Sequence, residues 1–202
     1  NKMLLRSSGR DKYRLVWFDL ETTGFNPFKD EIIELACLDN EGGVYESLIK
    51  PVKRIRPKIT EITSITNEMV EDQRPCVDIL REFVEFIKGD VSETRSIYLI
   101  GHNIHSFDMP FVKAKCAEFN IKFPNVYLID TMRMSQYILD EYSHNLAHLC
   151  QLFGIDNQNA HRALSDVYAT QVVYCNLCHF FKRAGIKDSP NQIYNATSVL
   201  FK

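Results

Sequence analysis

Two carboxylates at the end of an apolar run are the first candidates for chemistry in this sequence. Asp19 and Glu21 lie two residues apart in the segment LVWFDLETTGFNP, residues 15–27. In an extended chain, residues i and i+2 project from the same face, about 7 Å apart along the strand. Both carboxylates can therefore reach one shared cation, although a lone D-x-E pair is also typical of a solvated strand end.

Three further residues are candidates to join this pair. Asp108 ends the segment GHNIHSFD, for which a helix N-cap is the alternative interpretation. His161 and Asp166 follow in AHRALSD, residues 160–166. A spacing of five would separate them by about 140° on a helix. We therefore expect Asp166 on a helix and His161 in the preceding loop, turned toward the same point.

Hydrophobic patterns predict the elements that must position these residues. Apolar runs and a turn at NEGG predict buried strands over residues 13–20, 31–39, 42–50, 96–103 and 125–130. Helical spacing predicts helices over residues 76–88, 108–119, 131–142, 145–153 and 164–183. This order is typical of an α/β domain with a five-stranded mixed sheet flanked by helices, and its site should lie at the strand ends.

The composition fits one folded domain. The chain has 202 residues, of which 45% are hydrophobic. We expect a single domain over residues 1–202 with its core at about 13–184, peripheral ends at 1–10 and 185–202, and an open question whether the second of these packs.

Charge, hydropathy and cysteine content indicate where the protein is located and which partners it can bind. No signal peptide or membrane-spanning run is evident, and the six cysteines suit reduced, buried thiols. We therefore expect an intracellular protein, cytoplasmic or nuclear, that has no membrane partner. The net charge of −2 provides no overall basic field, so any contact with nucleic acid depends on local charge.

Three motifs in order carry a resemblance to a known family. F-D-L-E-T-T-G, H-N-x-x-x-F-D and H-x-x-x-x-D resemble the DEDDh class of 3′-to-5′ exonucleases, in the proofreading exonuclease superfamily with its RNase H-like fold. The resemblance spans about residues 13–184. Three residues between Asn103 and Phe107 make the spacing more similar to the three-prime repair exonucleases than to bacterial proofreading subunits. The sequence has no match to the proline-rich insert and membrane tail of one branch, so we do not expect the membrane attachment and proline-motif partners of that branch.

The resemblance implies a metal-dependent hydrolase. Its carboxylates would hold two Mg²⁺ ions, for which Mn²⁺ would substitute, and they are Asp19, Glu21, Asp108 and Asp166. Asp19 would bridge the ions, Glu21 and Asp166 would complete one site, and Asp108 would support the other. His161 would accept a proton from water, which suits an imidazole with a reference pKa of about 6.5. The implied reaction removes nucleoside 5′-monophosphates from the 3′ end of DNA, preferably single-stranded.

Substrate contacts are implied at six positions: Thr22, Thr23, Phe25, Thr63, Ile65 and Asn103. Thr22 would offer its backbone amide to the 3′-hydroxyl, and Phe25 would wedge between the last two bases, with core packing as the alternative. Thr63 and Ile65 would line the terminal-nucleotide pocket, and a buried turn is an equal interpretation. The basic stretch KPVKRIRPK, residues 50–58, would contact phosphates or form a solvated loop.

Alternatives remain at this stage. An exoribonuclease would use the same five catalytic residues, and no reader of the RNA 2′-hydroxyl is evident. An inactive nucleic-acid-binding module would keep the fold alone. Two copies could pair as a homodimer through an edge strand, as relatives do. The letters CNLCH, residues 175–179, match haem, redox and zinc patterns, but they lie in a predicted amphipathic helix and indicate core thiols.

Overall fold

The computed structural model describes residues 13–90 and 95–198. At its centre lies one mixed sheet of five strands. Its strands are β1 (Tyr13–Thr22), β2 (Ile32–Asp39), β3 (Val44–Leu48), β4 (Ser96–Gly101) and β5 (Tyr127–Asp130). The spatial order is β3-β2-β1-β4-β5. The β1–β2 and β2–β3 pairs are antiparallel, whereas β1–β4 and β4–β5 are parallel. The predicted five-stranded mixed sheet is confirmed, and the segment 1–10 lies outside the described residues.

Helices cover both faces of the sheet. They are α1 (Pro57–Thr63), α2 (Asn67–Val70), α3 (Cys76–Lys88), α4 (Asp108–Glu118), α5 (Thr131–Ile138), α6 (Leu146–Phe153), α7 (Ala163–Arg183) and α8 (Pro190–Ser198). The five predicted helices correspond to α3 to α7. Helix α5 ends earlier than predicted, because Leu139 is extended and its amide still donates to the carbonyl of Ser135.

Three helices were not predicted. Helices α1 and α2 are too short to show a helical period. The C-terminal segment 185–202, expected to be peripheral, contains α8. Ile193 of α8 is fully buried, and the ring of Tyr194 contacts that of Tyr127 on β5. This segment therefore packs on the core through residues 190–198, while residues 199–202 lie outside the described part of the chain.

Strand β1 is buried on both faces, which explains its continuous apolar run. Val16, Phe18 and Leu20 belong to the cluster that packs under α3 and α4. Trp17 belongs to the cluster on the opposite face, under α5 to α8. Because side chains alternate along a strand, the residues that follow Trp17 at intervals of two face α7.

The functional candidates lie at one edge of the sheet, as predicted. The parallel strands β1, β4 and β5 all end at this edge, and the antiparallel β2 begins there. Glu21 of β1 is the register partner of Glu34 on β2, and a bulge between Glu21 and Thr22 then interrupts the pairing. The segment after β4 leads directly into α4, so Asp108 is delivered to the same edge.

Two further features are the apolar character of the helices and the state of the cysteines. Over residues 13–90 and 95–198, no helix combines the length and apolar character needed to cross a membrane. All six cysteines are free thiols, of which Cys37, Cys116 and Cys150 are buried and the other three are half-buried. Cys175 and Cys178 of the CNLCH segment lie on α7 and pack against the core.

Candidate active site

Carboxylates from three elements converge at this edge. Asp19 and Glu21 are supplied by β1, Asp108 by the first residue of α4 and Asp166 by the first turn of α7. Ligand atoms of Glu21, His161 and Asp166 lie within 4.8 Å of one another. Asp19 is close enough to Asp108, Glu21 and Asp166 for each of them to raise its pKa. The structure therefore brings together all five residues predicted to be catalytic.

Asp108 is buried in a way that a helix cap does not explain. The N-cap of α4 is Phe107, so Asp108 is not the cap. Its side chain is 1% exposed, and its Oδ1 atom has no hydrogen-bond partner among the described residues. An unpaired buried carboxylate oxygen costs folding free energy, so this atom is suited to a cation bound at the site.

Asp166 is held by the loop that carries His161. The side-chain amide of Asn157 donates to Oδ1 of Asp166 at 2.7 Å, and the backbone N–H of His161 donates to Oδ2 at 3.0 Å. Ser165 donates to Asn157 at 2.6 Å and orients that amide. The prediction that His161 precedes the helix is confirmed, and its imidazole is exposed. Asn157 was missed, because an asparagine in a polar loop carries no distinguishing signal.

Sequence reasoning also missed an ion pair at the base of the site. Glu34 is 0% exposed and accepts from Arg162 Nε at 3.0 and 3.2 Å and from Nη2 at 2.6 Å. The backbone N–H of Ala163 donates to the same carboxylate at 2.8 Å. The available signal was a charged residue in the middle of an apolar strand, where burial demands a partner.

Burial and crowding oppose ionisation of the carboxylates. Burial raises the pKa of Glu21 to about 9, assisted by the charges of Asp166, Glu34 and Asp108, while Arg162 lowers it. Burial likewise raises the pKa of Asp108 to about 8. The pKa values of Asp19 and Asp166 are also raised, again mainly by burial. Among the described residues, the positive charge near the cluster therefore only partly offsets its negative charge.

The donor set fits a hard divalent cation. Such ions prefer oxygen ligands, and a bound ion would stabilise the ionised form of every carboxylate in the cluster. The unpartnered Oδ1 of Asp108 and the grouped ligand atoms of Glu21 and Asp166 are the two structural observations that agree with this assignment.

The residues predicted to touch substrate divide into two groups. Phe25 is 85% exposed beside the ring of Phe107, which excludes core packing as its role. Ile65 is fully buried, and the Thr63 hydroxyl donates to the Ile59 carbonyl and accepts from the Ile65 amide. The buried-turn interpretation therefore describes Ile65, whose side chain has no exposed surface to offer a nucleotide.

The remaining residues predicted to contact substrate, Thr22, Thr23 and Asn103, form hydrogen bonds that involve the backbone. The Thr22 hydroxyl donates to the carbonyl of Gly24 at 2.6 Å. Thr23 exchanges two hydrogen bonds with Glu31, at the start of the segment that leads into β2. Asn103 has a positive φ of 62°, and its backbone N–H donates to buried Asp130 at 2.9 Å. These bonds fix the two loops that flank the carboxylates.

An open groove of about 700 Å³ begins at the turn after Glu21. Its lining includes two phenylalanines that are each 85% exposed, Phe25 and Phe28, together with Arg56, Lys58 and Ile62. Arg56 also donates to the carbonyl of Thr23 at 3.1 Å, which joins the groove to the site. Phe28 and Ile62 were missed, because exposure of an apolar residue cannot be read from its identity.

Comparison with known proteins agrees with this arrangement. The family model described as Exonuclease matches residues 16–174. A DNA polymerase III of the PolC type from Thermotoga maritima is 32% identical over 176 residues, which cover 85% of this chain and 12% of that protein. The 3′-5′ exonuclease DinG from Bacillus subtilis is 30% identical over 173 residues, 83% of this chain and 18% of that protein. The chain thus spans a small part of these curated relatives.

A solved structure has the same fold. The crystal structure of E. coli Exonuclease I in complex with a dT13 oligonucleotide superposes with a TM-score of 0.71 at 20% identity, covering 86% of this chain and 42% of that one. The finer similarity to the three-prime repair exonucleases stays a prediction. With the family model matching most of the chain, and with the carboxylates of its motifs gathered at one sheet edge, the chain belongs to the exonuclease domain family of the DEDD type.

Proposed function

We propose that this domain is a metal-dependent 3′-to-5′ exonuclease that hydrolyses DNA from its 3′ end and releases nucleoside 5′-monophosphates. The observation that carries the proposal is the convergence of Asp19, Glu21, Asp108 and Asp166, with an unpartnered buried oxygen on Asp108, beside an open aromatic and basic groove. The proteins named DNA polymerase III PolC-type and 3′-5′ exonuclease DinG support the reaction class.

Two Mg²⁺ ions would be held by the four carboxylates, with Mn²⁺ as a substitute. Asp19 is the candidate bridge, Glu21 and Asp166 are candidates for one site, and Asp108 for the other. Such a pair of ions supplies an activated water, charge neutralisation at the phosphate and stabilisation of the leaving oxygen. The protein contributes fixed ligand positions, because Asn157 and the His161 amide already orient Asp166.

His161 is the candidate general base. Its imidazole is exposed at the rim, its nearest ring nitrogen belongs to the group of ligand atoms within 4.8 Å, and its backbone is tied to Asp166. In this position the ring can accept a proton from a water that attacks the scissile phosphate. The hydrogen bond to Asp166 holds the backbone of His161 beside the carboxylates.

The groove supports a preference for single-stranded or frayed ends. The exposed rings of Phe25 and Phe28 can stack on unpaired bases, which are not available in an intact duplex. Arg56 and Lys58 line the same groove and can contact backbone phosphates. Stacking and phosphate contacts read no base edges, so we expect weak sequence preference.

A gel time course tests the proposal. Single-stranded DNA and RNA of one sequence, labelled at the 5′ end, are incubated with Mg²⁺ or EDTA beside an Asp19→Asn control. The expected result is a Mg²⁺-dependent ladder that shortens from the 3′ end of DNA and is missing in the variant. A ladder on RNA alone would make the domain an exoribonuclease, and no ladder on either would contradict an exonuclease.

A further inference from the structure

The carboxylate of Glu34 forms hydrogen bonds with one short segment, residues 162–163. Its described hydrogen bonds run to the guanidinium of Arg162 and to the backbone N–H of Ala163. These partners lie more than 120 residues away along the chain and directly follow His161. Glu34 is also the register partner of Glu21, so the ion pair lies immediately beneath the carboxylate cluster.

The segment needs such restraint because its backbone is unusual. His161 has a φ of 65°, a conformation that costs free energy for a residue with a side chain and persists when surrounding contacts enforce it. On one side, the His161 amide is bonded to Asp166. On the other side, Arg162 and Ala163 are bonded to Glu34. The imidazole itself is exposed.

Net stabilisation is a weak explanation for this ion pair. Removing two charges from water offsets most of their attraction, so a buried pair often contributes little to the free energy of folding. Glu34 also adds a negative charge beside the carboxylate cluster, because it is the register partner of Glu21. A fully buried apolar residue would avoid this repulsion. The pair is better explained by what it orients.

We propose that Glu34 and Arg162 are positioning residues that hold His161 in its reactive place, an inference that rests on the proposed function. The ion pair fixes the backbone on the C-terminal side of His161, as Asp166 does on the N-terminal side. Loss of the pair should let the imidazole move away from the carboxylates, while the carboxylates and the groove keep their places. Catalysis should then suffer more than binding.

The test separates kcat from KM. We expect Glu34→Gln to lower kcat by about 10- to 100-fold, the scale of a misplaced reacting group, with KM changed less than about threefold. Arg162→Ala should lose activity similarly and regain part of it in millimolar guanidinium chloride, which replaces the missing group. Arg74→Ala is the matched control, because Arg74 forms an exposed pair with Glu82. Its activity should be unchanged and should not respond to guanidinium.

A second readout does not depend on cleavage. The imidazole proton resonances of His161, assigned by their loss in His161→Gln, should shift in Glu34→Gln without metal or DNA. Wild-type resonances together with wild-type kcat in Glu34→Gln would overturn the positioning role. If wild-type protein fails to cleave DNA or RNA, the proposed function fails, and the resonances still decide the positioning. If Glu34→Gln does not fold, Arg162→Lys, which keeps the charge, undergoes the same measurements.

Discussion

The two ends of β1 differ in how their charged side chains are paired. At its start, Arg14 is 4% exposed and bonds Asp39 and Glu41 at 2.9 Å each, and also the carbonyls of Phe86 and Ile87. At its other end, Asp19 and Glu21 face more carboxylates. The partners at the first end include exposed Glu41, whose pKa is lowered with help from a hydrogen bond from Arg95, whereas burial raises the pKa of Glu21.

The difference separates structural charge from functional charge. The guanidinium of Arg14 forms its hydrogen bonds and ion pairs with other groups of the protein, so it is not available to bind a ligand. The carboxylate cluster keeps an excess of negative charge, because the guanidinium of Arg162 is paired with Glu34. Unpaired, pKa-shifted groups at an open edge are characteristic of sites that bind ions or substrates. The comparison makes four predictions, beginning with the largest effect.

Asp108→Asn should nearly abolish cleavage. The change keeps the shape of the side chain but removes a charge that the metal site needs, and we expect kcat to fall by roughly 10³-fold or more, as for groups that act as a unit. Asp39→Asn is the matched control, because Asp39 lies on β2 beside the opposite end of β1 and pairs with Arg14. In a folded protein it should cleave DNA at the wild-type rate, and equal losses in both variants would erase the distinction between the two ends.

Arg14→Met should mainly destabilise the fold. It leaves Asp39 buried without its partner, and breaking a buried ion pair in this way costs about 3–5 kcal/mol of the free energy of unfolding. Urea denaturation measures the loss, with exposed Arg74→Met as a control that should change little. Below its melting temperature, Arg14→Met should keep its kcat. An unchanged urea midpoint would mean that the Arg14 network does not support the fold.

Phe28→Ala should weaken substrate binding rather than catalysis. Loss of one stacked base is worth about 1–3 kcal/mol, so we expect KM for single-stranded DNA to rise about tenfold, with kcat nearly unchanged. Tyr142→Ala is the control, because that ring is 89% exposed and lies outside the groove. A KM effect of the same size in both variants would remove the groove from the substrate path.

The metal-free domain should become less stable as the pH rises. The pKa values of Asp108 and Glu21 in the folded protein are raised to about 8 and about 9, above their ordinary values. Between the ordinary and the raised pKa values, the folded state therefore binds more protons than the unfolded state. The stability of the folded state is lost as the pH rises toward about 8 and about 9.

Melting curves at pH 6 and pH 9 measure this effect. In EDTA we expect the melting temperature at pH 9 to be lower by at least about 2–4 °C, which corresponds to about 1 kcal/mol in a domain of this size. Mg²⁺ should remove most of the difference, and Asp108→Asn should reduce it. A melting temperature that rises toward pH 9 in EDTA would contradict the raised pKa values.

Local features of the fold could be predicted well from the sequence. Strand and helix periods depend on residues two to four apart. Within residues 13–90 and 95–198, all five strands and five of the eight helices followed from them. The period of two also placed Asp19 and Glu21 on one face. Helices α1 and α2 were missed because they are too short to show a period, and α8 because its buried face is narrow.

The candidate site was predictable only where its residues belong to motifs. The sequence by itself determined the order of the motifs and the chemical type of the five residues that meet at the sheet edge. Only the tertiary structure decided that Glu34 pairs with Arg162, that Oδ1 of Asp108 has no hydrogen-bond partner in the described part of the chain, and that Phe25 is exposed while Ile65 is buried. Pairing and exposure depend on segments far apart in the chain that approach only on folding, and no local pattern records them.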